Sequence, residues 1–132
     1  MDNTLVIIKP DAVKRNIIGK ILTIFEEQGF IIREAKMLRL TKEEAESFYE
    51  VHKDKPFFNP LIEYITSGKV LVCVLEGKDA VYRVREIMGA TDPKEAEEGT
   101  IRKLFGINKQ ENSVHGSDSD ENALREISFF FK

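Results

Sequence analysis

The spacing of apolar positions changes several times along the chain, and each change marks an element. Leu5 to Ile8 is an unbroken apolar run closed by Lys9-Pro10-Asp11. Proline cannot donate to a ladder, so a buried strand ends there with Lys9 at its tip. Ile18, Ile21, Leu22 and Phe25 recur at the i, i+3, i+4, i+7 spacing of one helix face, with Gly29 as the terminator. Phe30 to Leu40 mixes Ile, Leu and Met with charges and predicts a long, half-exposed second strand. Thr41-x-x-Glu44 is a capping box for a short helix whose apolar face is Ala45, Phe48 and Tyr49, and Pro56 breaks it. Asn59 and Pro60 supply an N-cap and a first-turn proline for a helix through Leu61, Ile62 and Ile65, stopped at Gly68. Val70 to Leu75 is the next buried strand, and Ala80, Val84, Ile87 and Met88 form a helix face ended by Gly89.

From Ala90 to Ser119 the periodicity weakens to a turn or two of helix around Thr100 to Phe105, flanked by two long excursions. Long loops inside a compact domain are more often functional or disordered than idle. Asp118 and Ser119 then cap a short helix through Ala123 and Leu124, and Ile127 to Phe131 is expected to be a closing strand. This order contains the split β-α-β-β-α-β pattern and predicts an α+β fold, a four-stranded antiparallel sheet with helices packed on it. No repeat, low-complexity tract or linker divides the chain, so residues 1–132 are expected to form one domain.

Composition narrows the function. Hydrophobic residues make up 42% of the chain and include nine Phe, enough to build a core and to argue against disorder. Lys and Arg number 20 against 23 Asp and Glu, a net charge of −3 that disfavours broad attraction to nucleic acid or anionic lipid. Any anion site must be a local basic pocket. No apolar run approaches the roughly 20 residues of a membrane span, and the chain opens on a strand pattern, so the expectation is a cytoplasmic, unprocessed protein. Cys73 is the only cysteine and His52 and His115 the only histidines, which leaves no intrachain disulfide and no Cys/His zinc site. Cys73 falls mid-strand as a small buried hydrophobe, and His52 beside Lys53 and Asp54 reads as a surface residue.

His115 stands within Asn112-Ser113-Val114-His115-Gly116-Ser117-Asp118-Ser119, a run of small polar residues before a capped helix. Alone it fits a solvated loop histidine; it also fits a nucleophile or general base, with Gly116 letting a substrate approach the backbone. Its company matters more. Lys9 at a strand tip, Arg85 in the last turn of a helix and Arg102 beyond the 91–99 loop are cations at element ends, which a fold can bring together on a polyphosphate. Each is singly explained as a surface charge, Arg85 also as a favourable partner of a helix C-terminus. Glu126, near the junction of the last helix and strand, fits either an acceptor for one ring nitrogen of His115 or a solvated helix-end carboxylate, and Phe57 and Phe58 offer an aromatic face or simply core. The P-loop and the G-x-G-x-x-G fingerprint are both missing, so nucleotide handling here needs another architecture.

Taken together, the stretch Thr4 to Asp11, Tyr49, Pro56-Phe57-Phe58, Arg85 with Met88-Gly89-Ala90-Thr91, Gly99-Thr100-Ile101-Arg102 and Asn112 to Ser119 closely resemble the nucleoside diphosphate kinases, in order and over about residues 4–131. The resemblance implies a ferredoxin-like fold and a ping-pong exchange in which His115 takes the γ-phosphate of a nucleoside triphosphate and passes it to a diphosphate. It implies attack through Nδ1, with Glu126 orienting the ring, Ser117 supporting that carboxylate and Tyr49 beside the histidine. It further implies that Lys9 holds the phosphates and the sugar 3′-OH, Asn112 the 3′-OH, Arg85 and Thr91 the β-phosphate and Arg102 the transferred group. Phe57 would stack on the base, Mg²⁺ would enter with the nucleotide phosphates, and the chain would form a homo-oligomer, tetramer or hexamer. Two features depart from the family pattern. Lys109 stands about where many members carry an apolar residue against the base, and the chain stops at Lys132 without the longer C-terminal segment of many animal members.

The rival reading is a non-catalytic module of the same fold, binding a small regulator or RNA. The acidic net charge and the lack of a run of basic and aromatic residues of the RNP1 kind disfavour RNA. A homologue that had lost catalysis would be expected to have lost His115, Lys9 or Arg102, and all three are present.

Overall fold

The computed structural model describes residues 2–131. The elements are β1 (Asp2–Ile8), α1 (Pro10–Lys14), α2 (Ile18–Glu27), β2 (Ile31–Leu38), α3 (Lys42–Phe48), a 3-10 turn (Glu50–His52), α4 (Phe58–Ile65), β3 (Val70–Gly77), α5 (Ala80–Met88), α6 (Ile101–Phe105), β4 (Val114–Gly116) and α7 (Asp120–Phe130). The strands form one sheet in the order β2-β3-β1-β4, every neighbouring pair antiparallel.

Helices cover both faces of the sheet, which is why β1 is apolar without alternation. Val6 and Ile8 face a core with Phe25 of α2, Val84 and Met88 of α5, Cys73, Leu75 and Val114. Leu5 and Ile7 face the other, with Phe48, Tyr49, Ile62, Ile65, Val72 and Phe130. Each such apolar side chain, fully buried, stabilises the fold by about 1.5–3 kcal/mol. The Thr41 capping box closes as expected, Thr41 Oγ1 accepting from Glu44 N at 3.1 Å and Glu44 Oε1 accepting from Thr41 N at 2.9 Å. Gly89 ends α5 with φ of +87°, where a Cβ would also lie 2.5 Å from Thr100 Oγ1.

The structure corrects the sequence at four places. Pro10 ends β1 but opens the one-turn helix α1, which the sequence pattern does not announce. The fourth helix starts at Phe58 with Phe57 at its N-cap, so Asn59 is already inside it. Ile127 to Phe131 is not a strand: Ala123, Glu126, Ile127 and Phe130 continue one stripe at helical spacing, and α7 runs unbroken from the Ser119 cap to Phe130. The fourth strand is instead the three-residue β4, which pairs Val114 with Ile8, His115 with Ile7 and Gly116 with Val6. It is too short and too polar in its surroundings to show a period, so its sequence reads as loop.

Candidate active site

Pairing opposite Ile7 puts His115 on the same sheet face as Ile7, against the aromatic core on that side. Phe48 and Tyr49, from the end of α3, meet the imidazole edge-on at 5.7 and 6.1 Å between ring centroids. From α7, Glu126 Oε1 lies 3.0 Å from His115 Nε2 and accepts from Ser117 Oγ at 2.8 Å. Glu126 is buried, on the core-facing stripe of its helix, and engaging Nε2 leaves Nδ1 as the ring nitrogen available to a ligand. Burial, with the Glu126 charge adding to it, pushes the Tyr49 phenol well above its ordinary range, so Tyr49 stays neutral beside the histidine.

Gly116 has a packing role that the sequence does not show. A Cβ there would sit 2.8 Å from Met88 Sδ and 3.2 Å from Val84 Cγ1, so the glycine permits close packing of β4 on α5, on the face opposite His115.

Lys9, at the end of β1, is buried and donates to Asn112 Oδ1 at 2.9 Å and to the Gln110 carbonyl at 3.0 Å. An ammonium has three N–H groups, and the third has no protein acceptor among the described residues. Burial lowers Lys9 to about 8, repulsion from Arg102 adds to this, and Asp11 opposes it. Asn112 in turn donates to the carbonyls of Thr91 and Lys109, both at 2.9 Å, and so ties the two long loops together under Lys9. Arg102, in the first turn of α6, donates to the carbonyls of Gly89 at 3.1 Å and Val114 at 2.8 Å, while its buried Nε has no partner among the described residues. Burial, and repulsion from Arg85, lower Arg102 to about 10. Arg85 reaches the Gly116 carbonyl at 3.3 Å. Three cations thus surround the short strand that carries His115.

Of the two phenylalanines after Pro56, Phe58 is core and Phe57 stands out at 49% exposure. His52 is not a free surface residue. It stacks on Tyr49 at 6.4 Å and 27°, and its ring lies 5.3 Å from that of Phe57, so an aromatic path runs from Phe57 through His52 and Tyr49 to His115. The polar group of Thr91, Asn112 and Lys9 and the group of His115, Glu126, Ser117 and Tyr49 are therefore neighbours built from β1, β4, α3, α7 and both loops. The sequence pattern does not reveal the parts played by His52, Phe48 and the pair of buried Asp11 with half-buried Tyr64, whose only signal is apolar or helix-end placement. A separate open cleft of about 790 Å³ shares Arg85 but not His115, Lys9 or Arg102. Its lining of Asp2, Asp79, Glu95, Asp118 and Asp120 has the wrong sign for a phosphate.

The arrangement, an oriented imidazole with the buried cations Lys9 and Arg102 and the exposed Arg85 converging on its strand, is suited to phosphoryl transfer. A family model described as nucleoside diphosphate kinase matches residues 2–132. The chain belongs to the nucleoside diphosphate kinase family. It is 59% identical to a nucleoside diphosphate kinase of a Nitratiruptor species, covering 99% of this chain and 96% of the relative, and 56% identical to one of Persephonella marina, covering 99% and 94%. Among solved structures it is similar to the Aquifex aeolicus nucleoside diphosphate kinase, with a TM-score of 0.97, 48% identity and coverage of 99% of this chain and 95% of that one. It is also similar to the Halobacterium salinarum enzyme solved in complex with CDP, with a TM-score of 0.95, 44% identity and coverage of 99% and 88%. The activity is that of the nucleoside diphosphate kinases, transfer of the terminal phosphoryl group of a nucleoside triphosphate to a diphosphate.

Proposed function

We propose that this transfer runs as a ping-pong exchange through a phosphohistidine at His115. The observation that carries the reading is the Ser117-Glu126-His115 chain, which occupies Nε2 and leaves Nδ1 free. In the first half, the Nδ1 lone pair attacks the γ-phosphorus. A phosphorus–nitrogen bond forms as the bond to the β,γ-bridging oxygen breaks, and the nucleoside diphosphate leaves with that electron pair. Glu126 holds the Nε2 proton and stabilises the positive charge that builds on the ring. In the second half a β-phosphate oxygen of the acceptor attacks the same phosphorus and His115 is released.

The cations divide the phosphate charge. Arg102, with its unpartnered buried Nε, is assigned to the migrating group, Arg85 and Thr91 to the β-phosphate, and the free N–H of Lys9 to phosphate oxygens and the 3′-OH. Asn112 Oδ1 has a second lone pair with which to accept from that hydroxyl. The exposed ring of Phe57 stacks on the base, and stacking is indifferent to base identity. Lys109 is exposed and contributes its carbonyl to Asn112, so no apolar clamp is assigned to it. Mg²⁺ belongs to the substrate as the nucleotide complex. No group of His, Cys, Asp and Glu among the described residues forms a metal cage, whereas phosphate oxygens suit this hard cation and it neutralises part of their charge. We further assign residues 1–132 to one domain, a homo-oligomeric assembly and a cytoplasmic setting. Among the described residues no helix is long and apolar enough to cross a membrane, and the single cysteine is free and buried.

The test is incubation with γ-phosphate-labelled ATP and Mg²⁺, followed by acid or alkali. Label that is lost in acid, kept in alkali and missing from His115→Ala is the expected result. Acid-stable label, or undiminished label in His115→Ala, overturns the mechanism.

A further inference from the structure

Behind Lys9 lies a polar cluster around the buried Asp11 and Ser113 that the phosphoryl transfer itself does not use. Asp11, in the first turn of α1 and only 5% exposed, accepts from Arg15 Nη2 at 2.9 Å and from the Tyr64 hydroxyl of α4. The Ser113 hydroxyl reaches the same carboxylate at 3.4 Å and also lies 3.3 Å from Arg15 Nη2. Arg15 Nε adds a bond to the Asp11 carbonyl at 3.2 Å, and Asp11 N donates to the Tyr64 oxygen at 3.1 Å. An acid at a helix start paired with a cation four residues on is ordinarily a surface clip. The burial of the carboxylate and the convergence of α1, α4 and the 112–113 turn on it set this one apart.

Two features connect the cluster to the site. Ser113 has φ of +77°, a left-handed conformation that costs a non-glycine residue of order 1–3 kcal/mol unless its surroundings hold it. Its carbonyl accepts from Lys9 N at 2.9 Å, and the residue before it is Asn112, which holds Lys9 Nζ. The second feature is charge. Arg102 repels Lys9, Asn112 and the Gln110 carbonyl are neutral, the Tyr64 ring lies 5.6 Å from Nζ, and Asp11 is the negative group that acts on it. No ion pair forms between Asp11 and Lys9 among the described residues, because Arg15, Tyr64 and Ser113 occupy the carboxylate.

We propose that Asp11 is a positioning residue: clasped by Tyr64 and Arg15, it holds the 112–113 turn against the end of β1 and supports the Lys9 charge without consuming its free N–H. The proposal rests on the assignment of Lys9 to the phosphates. It is tested in the full chain by following the Lys9 side chain with NMR of isotopically labelled lysine, assigned with Lys9→Arg, alongside the pH dependence of kcat/KM. In Asp11→Asn the Lys9 midpoint falls by about one pH unit, the scale of losing one nearby opposite charge, and the alkaline limb of kcat/KM falls with it. In Tyr64→Phe the carboxylate is freed to turn toward Lys9, and the midpoint rises. That second chain decides the matter if Asp11→Asn does not fold. A Lys9 midpoint unchanged in the folded variants, or an activity loss equal at every pH, overturns the proposal and leaves Asp11 a purely structural clip. A midpoint that moves while the alkaline limb stays fixed supports the role of Asp11 and instead contradicts the assignment of Lys9 to the phosphates.

Discussion

At the scale of single residues, Lys9 and Phe57 show how differently chemistry is written into a chain. Lys9 next to Pro10 is legible as a strand tip, and there it lies. Its burial is not legible, since the loops that cover it carry no period. Because Lys9 falls to about 8 in the folded chain from an ordinary value near 10.5, the native state binds fewer protons than the unfolded chain between those limits. Stability therefore rises with pH across that window, by on the order of 3 kcal/mol for this group, and below pH 8 the buried charge costs its full amount. Chemical denaturation of the parent and of Lys9→Met at pH 7 and pH 10.5 should show the parent gaining on the variant as pH rises. A difference independent of pH contradicts the burial of a charged Lys9. Phe57 is one of two equivalent candidates in sequence, and only the helix start at Phe58 decides which ring is core. If it stacks on the base, Phe57→Ala lowers kcat/KM for ADP, GDP, CDP and UDP alike by roughly 5- to 150-fold, the equivalent of about 1–3 kcal/mol. Loss confined to one base in a four-substrate comparison would place recognition elsewhere.

At the scale of elements, strands and helices with a clear period are legible in kind, and the errors fall where tertiary structure overrides local pattern. Ile127 to Phe131 looks like a strand because three phenylalanines end it, yet Ala123-Glu126-Ile127-Phe130 is a helix stripe, and reading Glu126 as part of that stripe shows how a carboxylate reaches the core side of the sheet. β4 exists through its pairing with β1 and through Gly116, so neither propensity nor alternation reveals it. Gly116→Val forces a side chain into Met88 and Val84, and overpacking of this kind costs about 1–3 kcal/mol. The melting midpoint should fall together with activity, since the strand that moves carries His115. Unchanged stability would show that β4 is free to shift, contrary to the packing described.

At the scale of the whole molecule, the sheet leaves β2 at one edge with all but Ile32 and Leu38 of its residues exposed, Ile31 and Met37 among them. An exposed edge strand with large apolar side chains is a template for pairing with another chain, which fits the proposed homo-oligomer. Light scattering over a dilution series should give a mass of several chains. A concentration-independent monomer contradicts the proposed assembly. The fold class and the candidate residues are legible because short, specific runs such as Asn112 to Ser119 stand together in the chain; the geometry that joins those candidates is not, because it depends on which face of β4 and α7 meets which.

The central claim is that Glu126 commits Nε2 and so assigns the chemistry to Nδ1 of His115. The most direct measurement is ³¹P and ¹⁵N NMR of the phosphoenzyme, formed from ATP and Mg²⁺ with histidine labelled at its ring nitrogens. Phosphorus coupled to Nδ1 of His115, with Nε2 still protonated, is the predicted result. Phosphorus on Nε2, or on any residue other than His115, would contradict the account.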